Sequence, residues 1–177
     1  MLDAYDRKIL AEVQADARIA QSELGERVHL STAAVNRRLK RLADDRAIEK
    51  YTAVVAPEAL GYALTIVAEV EAESVQVDLL DAMKRSFSAS PLVQQCYYVT
   101  GQCDFILVIT AQSMEQYQEL TRELFFQNNN VKRFRTFVSM SRVKVTLDVP
   151  IGPAHFPSVD STNPAAELAS ITTIKTR

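Results

Sequence analysis

Apolar residues recur at helical spacing through the first part of this chain and at strand spacing through much of the second. Tyr5, Ile9, Leu10 and Val13 share one face of a helix read over Asp3–Gln14, with Asp3 placed as its cap. Leu24 and Val28 mark the inward side of a short second helix, Gln21–Val28. Ser31 suits the N-cap of a third helix, whose Val35, Leu39 and Leu42 follow the i, i+4, i+7 pattern of a buried stripe. The turn at His29-Leu30 is tight, and histidine tolerates a positive φ better than most residues. Ile48–Val55, rich in β-branched and aromatic residues, predicts a strand. Three helices followed by a strand is the order of a winged helix-turn-helix.

Beyond Pro57–Gly61 the period changes. Tyr62–Glu71 alternates, with Leu64, Ile66, Ala68 and Val70 on one face. Val77–Phe87 is amphipathic around Leu80, Met83 and Phe87. Leu92–Thr100 and Phe105–Thr110 predict strands, and Ser113–Phe126 a helix capped by Ser113 with Tyr117, Leu120 and Leu124 inside. Val131–Met140 and Val143–Leu147 predict further strands. The order is βαββαβ plus one late strand, an α+β ferredoxin-like sandwich. The expected organisation is a winged helix-turn-helix domain over residues 1–52, a hinge over 53–61, a ferredoxin-like domain over 62–149 and a tail over 150–177. Dimerisation is a common way to cover the edge or open face of such a sheet. The tail is punctuated by prolines, and Ala165–Ile171 suits a short helix on a partner subunit.

Charge sharpens the reading of the third helix. Arg27 to Ala43 holds five basic residues and no acidic one, in a chain of net charge −2. A basic face on a slightly acidic protein is the electrostatic footprint of a nucleic-acid contact. Ser31, Thr32 and Ala33 are small and allow close approach. Asn36 and Arg37 offer paired hydrogen bonds to base edges, and Lys40 and Arg41 neutralise phosphates. Arg38 lies nearer the core edge, as a phosphate contact or a structural ion pair. The competing reading of the whole run is a solvated helix face with no partner.

Enzymatic constellations are not found. The four glycines, Gly25, Gly61, Gly101 and Gly152, are too scattered for a phosphate-binding loop, and His29 and His155 share no cluster with carboxylates or cysteines. No catalytic residue, metal site or cofactor is expected. Cys96 and Cys103 form neither a disulfide framework nor a zinc pattern, although Cys103, in a loop, is a weak redox candidate. The chain opens without an apolar signal-like core, and Tyr62–Ala68 is too short to span a bilayer, so a cytoplasmic protein with no membrane partner is expected. The loop Thr100-Gly101-Gln102-Cys103-Asp104 admits two readings. Its glycine lets a carboxylate approach backbone N–H groups while Asp104 holds an ammonium; or it is a tight turn in which Gly101 supplies a positive φ and Asp104 caps the backbone.

From Leu2 to about Val145 the chain resembles the Lrp/AsnC (feast/famine) transcription regulators. The markers are Leu2-Asp3 with Asp6-Arg7-Lys8-Ile9-Leu10, Asp16-Ala17-Arg18-Ile19, Glu23-Leu24, Leu30-Ser31 and Val35 to Leu42. They continue with Ile48, Tyr51-Thr52-Ala53, Pro57, Leu60-Gly61, Cys96 to Gly101, Asp104-Phe105 and Arg135 to Val138. The family usually has glycine where His29 and Arg46 stand, often proline near Thr32 or Ala34, and a Leu-Pro-Gly turn at Asn128-Asn129-Asn130, where Asn130 is expected to stand in for the glycine. The resemblance implies a RAM-type sensor domain, a homo-dimer or higher oligomer, double-stranded DNA as partner and an amino acid as effector, held around Tyr98, Thr100, Gly101, Gln102 and Asp104. Three functions compete: a ligand-responsive DNA-binding regulator, an architectural DNA-binding protein with little sequence choice, and a regulatory subunit of an amino-acid enzyme. The basic third helix disfavours the last, which has no use for it.

Overall fold

The computed structural model describes residues 1–152. The expected helix at Ala165–Ile171 and most of the tail lie outside the described residues. The chain divides into two compact units, one formed by Met1–Thr52 together with the described residues 147–152, the other by Ala53–Thr146.

In the first unit, α1 (Ala4–Ala15), α2 (Gln21–Val28) and α3 (Thr32–Asp44) enclose a core of Ile9, Leu24, Val28, Val35 and Leu42. Asp3 and Asp6 form a reciprocal cap on α1: the Asp6 N–H donates to Asp3 Oδ1 at 2.8 Å and the Asp3 N–H to Asp6 Oδ2 at 3.0 Å. Tyr5 does not join the core as its spacing suggests. It is exposed, and its ring lies under the Arg38 guanidinium at 5.5 Å. His29 closes α2 at φ 57°, the left-handed conformation expected of it, and Arg46 does the same after α3 at φ 56°. Gly25 is required by packing: a Cβ there would stand 2.6 Å from the Leu30 carbonyl oxygen, in the turn between α2 and α3. The backbone approaches too closely at that point for any side chain.

The Ile48–Val55 strand is not formed, and residues 51–56 are irregular. Ile48 instead donates its N–H to the Leu42 carbonyl at 3.0 Å and closes the end of α3. Strand propensity measures fit to a neighbouring ladder, and no regular ladder forms here. The same holds for Val143–Leu147, which is also irregular.

The second unit follows the expected βαββαβ order. Its elements are β1 (Leu64–Ala72), α4 (Val77–Ala89), β2 (Val93–Tyr98), β3 (Phe105–Ala111), α5 (Met114–Thr121) and β4 (Val131–Val138). The four strands lie antiparallel in the order β2-β3-β1-β4. Ile66, Ala68, Val70, Phe105, Leu107 and Ile109 face inward, against Leu80, Met83 and Phe87 of α4 and Tyr117 and Leu120 of α5. A π-helical turn, Arg122–Phe126, extends α5 and brings both Leu124 and Phe125 inward.

Asn130 does not take the left-handed conformation expected of a glycine substitute; among the described non-glycine residues only His29 and Arg46 do. Its buried amide instead accepts from the Ser74 N–H at 3.0 Å and donates to the Ser74 carbonyl at 3.0 Å. It joins the loop before α4 to the turn before β4, so its polar atoms are buried with partners.

Candidate functional site

The third helix is placed by its ends and by its apolar stripe. Ser31 Oγ accepts the Ala34 N–H at 3.2 Å, and Val35 and Leu42 are fully buried. Burial of that stripe turns the opposite side outward. Thr32, Ala33, Asn36, Arg37, Lys40 and Arg41 are exposed, as is Ser31, while Arg38 is half-buried.

The basic residues of α3 fall into two groups. Arg38 Nη1 lies 2.6 Å from Asp3 Oδ2 and 2.7 Å from Asp6 Oδ1, and Arg41 Nη2 lies 2.5 Å from the same Asp6 oxygen. Asp6 is fully buried. Burial alone would raise its carboxyl group, but the Asp3 N–H and the two guanidiniums outweigh that and hold it below its ordinary value. Arg38 is thus the structural ion pair that its place near the core edge allowed, and Arg41 joins it. Arg37 and Lys40 make no ion pair among the described residues. Their charges, with the amide of Asn36, remain available on the exposed face.

The second unit carries a cavity of about 570 Å³ at one end of the sheet's outer face, lined by Glu71, Ala72, the loop Gly101–Asp104, Arg133 and Arg135. Three expected effector residues meet there, Gly101, Gln102 and Asp104. Tyr98 and Thr100 are not in its lining; Tyr98 stacks on Phe105 at 5.2 Å, with the Lys84 ammonium 5.0 Å from its ring. Gly101 has φ 137° and open space where a Cβ would stand. Both earlier readings of the loop have a physical basis, because Asp104 Oδ2 accepts the Ala72 N–H at 2.8 Å while Oδ1 has no hydrogen-bond partner among the described residues.

Neither Arg133 nor Arg135 is legible as a site residue in the sequence, where Arg135 enters only as a marker of the resemblance. Register places them opposite Glu71 and Glu69 on the outer face. Arg133 Nε donates to Glu71 Oε2 at 2.5 Å, Lys132 Nζ lies 2.9 Å from Glu71 Oε1, and Arg135 Nη2 lies 2.7 Å from Glu69 Oε2. Lys132 and Arg133 lower the Glu71 carboxyl. The only available signal was the alternation of acids at 69 and 71 and of arginines at 133 and 135, which puts each pair on one strand face. Cys103 is a poor redox candidate: burial, with Glu69 nearby, pushes its thiol upward, away from thiolate. Among the described residues no helix is long and apolar enough to cross a membrane, and no group of side chains is arranged to hold a metal ion.

Comparisons with known proteins agree with both halves. An AsnC-type helix-turn-helix model matches residues 2–43, and the Lrp/AsnC ligand binding domain model matches 65–149. An uncharacterized HTH-type transcriptional regulator of Sinorhizobium fredii is 43% identical over 150 residues, covering 85% of this chain and 89% of the relative. The leucine-responsive regulatory protein of Rhizobium meliloti is 34% identical, covering 85% and 96%. Among solved structures, a Neisseria meningitidis transcriptional regulator in complex with L-methionine superposes with TM-score 0.80 at 27% identity, covering 85% of this chain and 97% of that one. The Mycobacterium tuberculosis feast or famine regulatory protein with L-methionine superposes with TM-score 0.76 at 26% identity, covering 84% and 99%. These relatives are transcriptional regulators rather than enzymes, and the chain belongs to the Lrp/AsnC family.

Proposed function

We propose that this chain is a sequence-specific DNA-binding regulator, acting in the cytoplasm, whose oligomeric state or DNA affinity responds to an amino-acid effector. The observation that carries the reading is the division of charge on α3. Arg38 and Arg41 are tied to α1, while Asn36, Arg37 and Lys40 are exposed on one face without ion-pair partners among the described residues. A helix held rigidly from behind and presenting one Asn, one Arg and one Lys is suited to a major groove. The reading extends to a homo-dimer or higher oligomer. The sheet face away from the helices offers Val67, Ile106, Val108 and Phe137, none of them fully buried, as apolar surface for a second copy.

Arg37→Ala is expected to weaken binding to a specific site by on the order of 1–3 kcal/mol, unevenly across sequences, because a lost base contact is sequence-dependent. Lys40→Ala should weaken all sequences alike and flatten the salt dependence by about one phosphate contact. Titrations of specific and random DNA at several salt concentrations read both effects. Unchanged affinity in both folded variants removes α3 as the reading element. A specificity ratio near one for the wild type favours the architectural function instead.

For the effector, Asp104→Ala and Asp104→Asn are expected to abolish the response while leaving basal DNA binding intact. The asparagine still accepts the Ala72 N–H and lacks only the charge that an ammonium requires. Calorimetric titration of amino acids into the two variants separates the possibilities. If both variants bind as tightly as the wild type, Asp104 is only a turn-former and the effector lies elsewhere; if Asp104→Asn alone binds like the wild type, Asp104 shapes the loop rather than holding an ammonium.

A further inference from the structure

The cavity beside Gly101–Asp104 has a character that bears on which amino acids it accepts. Its side-chain lining is Glu71, Ala72, Gln102, Cys103, Asp104, Arg133 and Arg135, with no apolar group larger than Ala72 apart from the Cys103 thiol. Within one chain, this lining offers a leucine or methionine side chain no apolar wall.

The charges are unequally engaged. Both Glu71 oxygens are occupied, Oε1 by Lys132 and Oε2 by Arg133. Glu69 is turned toward Arg135. The one carboxylate oxygen of the lining without a hydrogen-bond partner among the described residues is Asp104 Oδ1, and a ligand's ammonium would occupy it. Within the lining, a second cationic group on the ligand would find no further carboxylate oxygen without a partner among the described residues. The guanidiniums differ in this respect. Arg133 engages its Nε and Arg135 one Nη, which leaves at least two N–H-bearing nitrogens on each without a described partner. Both side chains are more than half exposed, so these donors are open to solvent at the cavity.

We infer that this site selects an amino acid whose side chain ends in a carboxylate, with Arg133 and Arg135 receiving that group. The inference rests on the effector reading of the Gly101–Asp104 loop and adds the ligand class. The α-carboxylate lies on the loop backbone near Gly101, the ammonium on Asp104, and the side-chain carboxylate between the two arginines, whose planar donors match it in pairs. The class differs from the L-methionine held by two of the solved relatives.

Calorimetric titration of the full-length protein with L-glutamate, L-aspartate, L-glutamine, L-leucine, L-methionine and L-lysine tests it. Glutamate or aspartate is expected to bind roughly tenfold or more tightly than the others, since each charge-assisted pair contributes that order of discrimination. Arg133→Gln should erase the preference, and Arg135→Gln serves as the second variant, with thermal unfolding confirming that each is folded. Leucine, methionine, lysine or glutamine binding as tightly as the acids overturns the inference and leaves the loop as an effector site. A preference for glutamate that survives both arginine variants overturns the assignment to these residues. Binding of none of the six overturns the inference and the effector reading together.

Discussion

Replacing Asp6 by alanine is expected to destabilise the N-terminal unit by about 3 kcal/mol, at the low end of the range for breaking a buried ion pair. Asp6 is completely buried and accepts from Arg38, Arg41 and the Asp3 backbone. Its removal leaves two guanidiniums without their shared acceptor. The loss is kept at the low end because Arg38 retains Asp3 at 2.6 Å and Arg41 is half-exposed to water. Urea unfolding followed by circular dichroism measures the change, and a loss below about 1 kcal/mol would show that α3 does not depend on this anchor. DNA affinity should fall as well, since α3 is oriented from α1.

The same residue makes the unit acid-sensitive. The Asp6 carboxyl is held below its ordinary value in the folded state, against the effect of burial. Its contribution is therefore complete above the unfolded value and lost as pH falls through the lower folded value. Asp6→Asn should flatten the decline in stability between about pH 5 and pH 3 relative to wild type. An identical decline in both proteins assigns the acid sensitivity to other carboxylates.

The other large effect belongs to Phe105. It is fully buried at the start of a central strand, immediately after the Gly101–Asp104 loop, with its ring 5.3 Å from Phe87 and 5.2 Å from Tyr98. Phe105→Ala is expected to destabilise the Ala53–Thr146 unit by about 3–5 kcal/mol, combining lost transfer energy with the cavity left behind. For a unit of this size that lowers the melting transition by roughly 15 °C or more in a calorimetric scan. The Val99 N–H donates to the Asp104 carbonyl at 2.8 Å, so loosening the strand end also loosens the loop. Amino-acid binding at the site proposed for this loop should weaken even at temperatures where the unit stays folded. A shift below about 4 °C, corresponding to 1 kcal/mol or less, would mean that the site collapses around the smaller side chain without cost.

Much of this molecule is determined locally. The periods of 3.6 and 2 place the five α-helices and the four sheet strands, because an apolar stripe of either period has only one way to leave water. The Asp3 cap, the Ser31 cap and the left-handed His29 are equally local, since each depends on groups within a turn of the chain. Tertiary structure decided the rest. Arg38 and Arg41 look like the rest of the α3 basic run until α1 packs beside them and brings in Asp6, 32 residues earlier than Arg38. Asn130 has the sequence context of a turn, yet its amide serves Ser74, 56 residues away. The strand signals at Ile48–Val55 and Val143–Leu147 fail because propensity does not supply a ladder. Arg133 and Arg135 meet Glu71 and Glu69 only because β4 pairs with β1 in one particular register. Hydrophobic period says which face of an element is buried, whereas polar side chains gain their partners from the elements that come to lie beside them, and that depends on the packing of the whole unit.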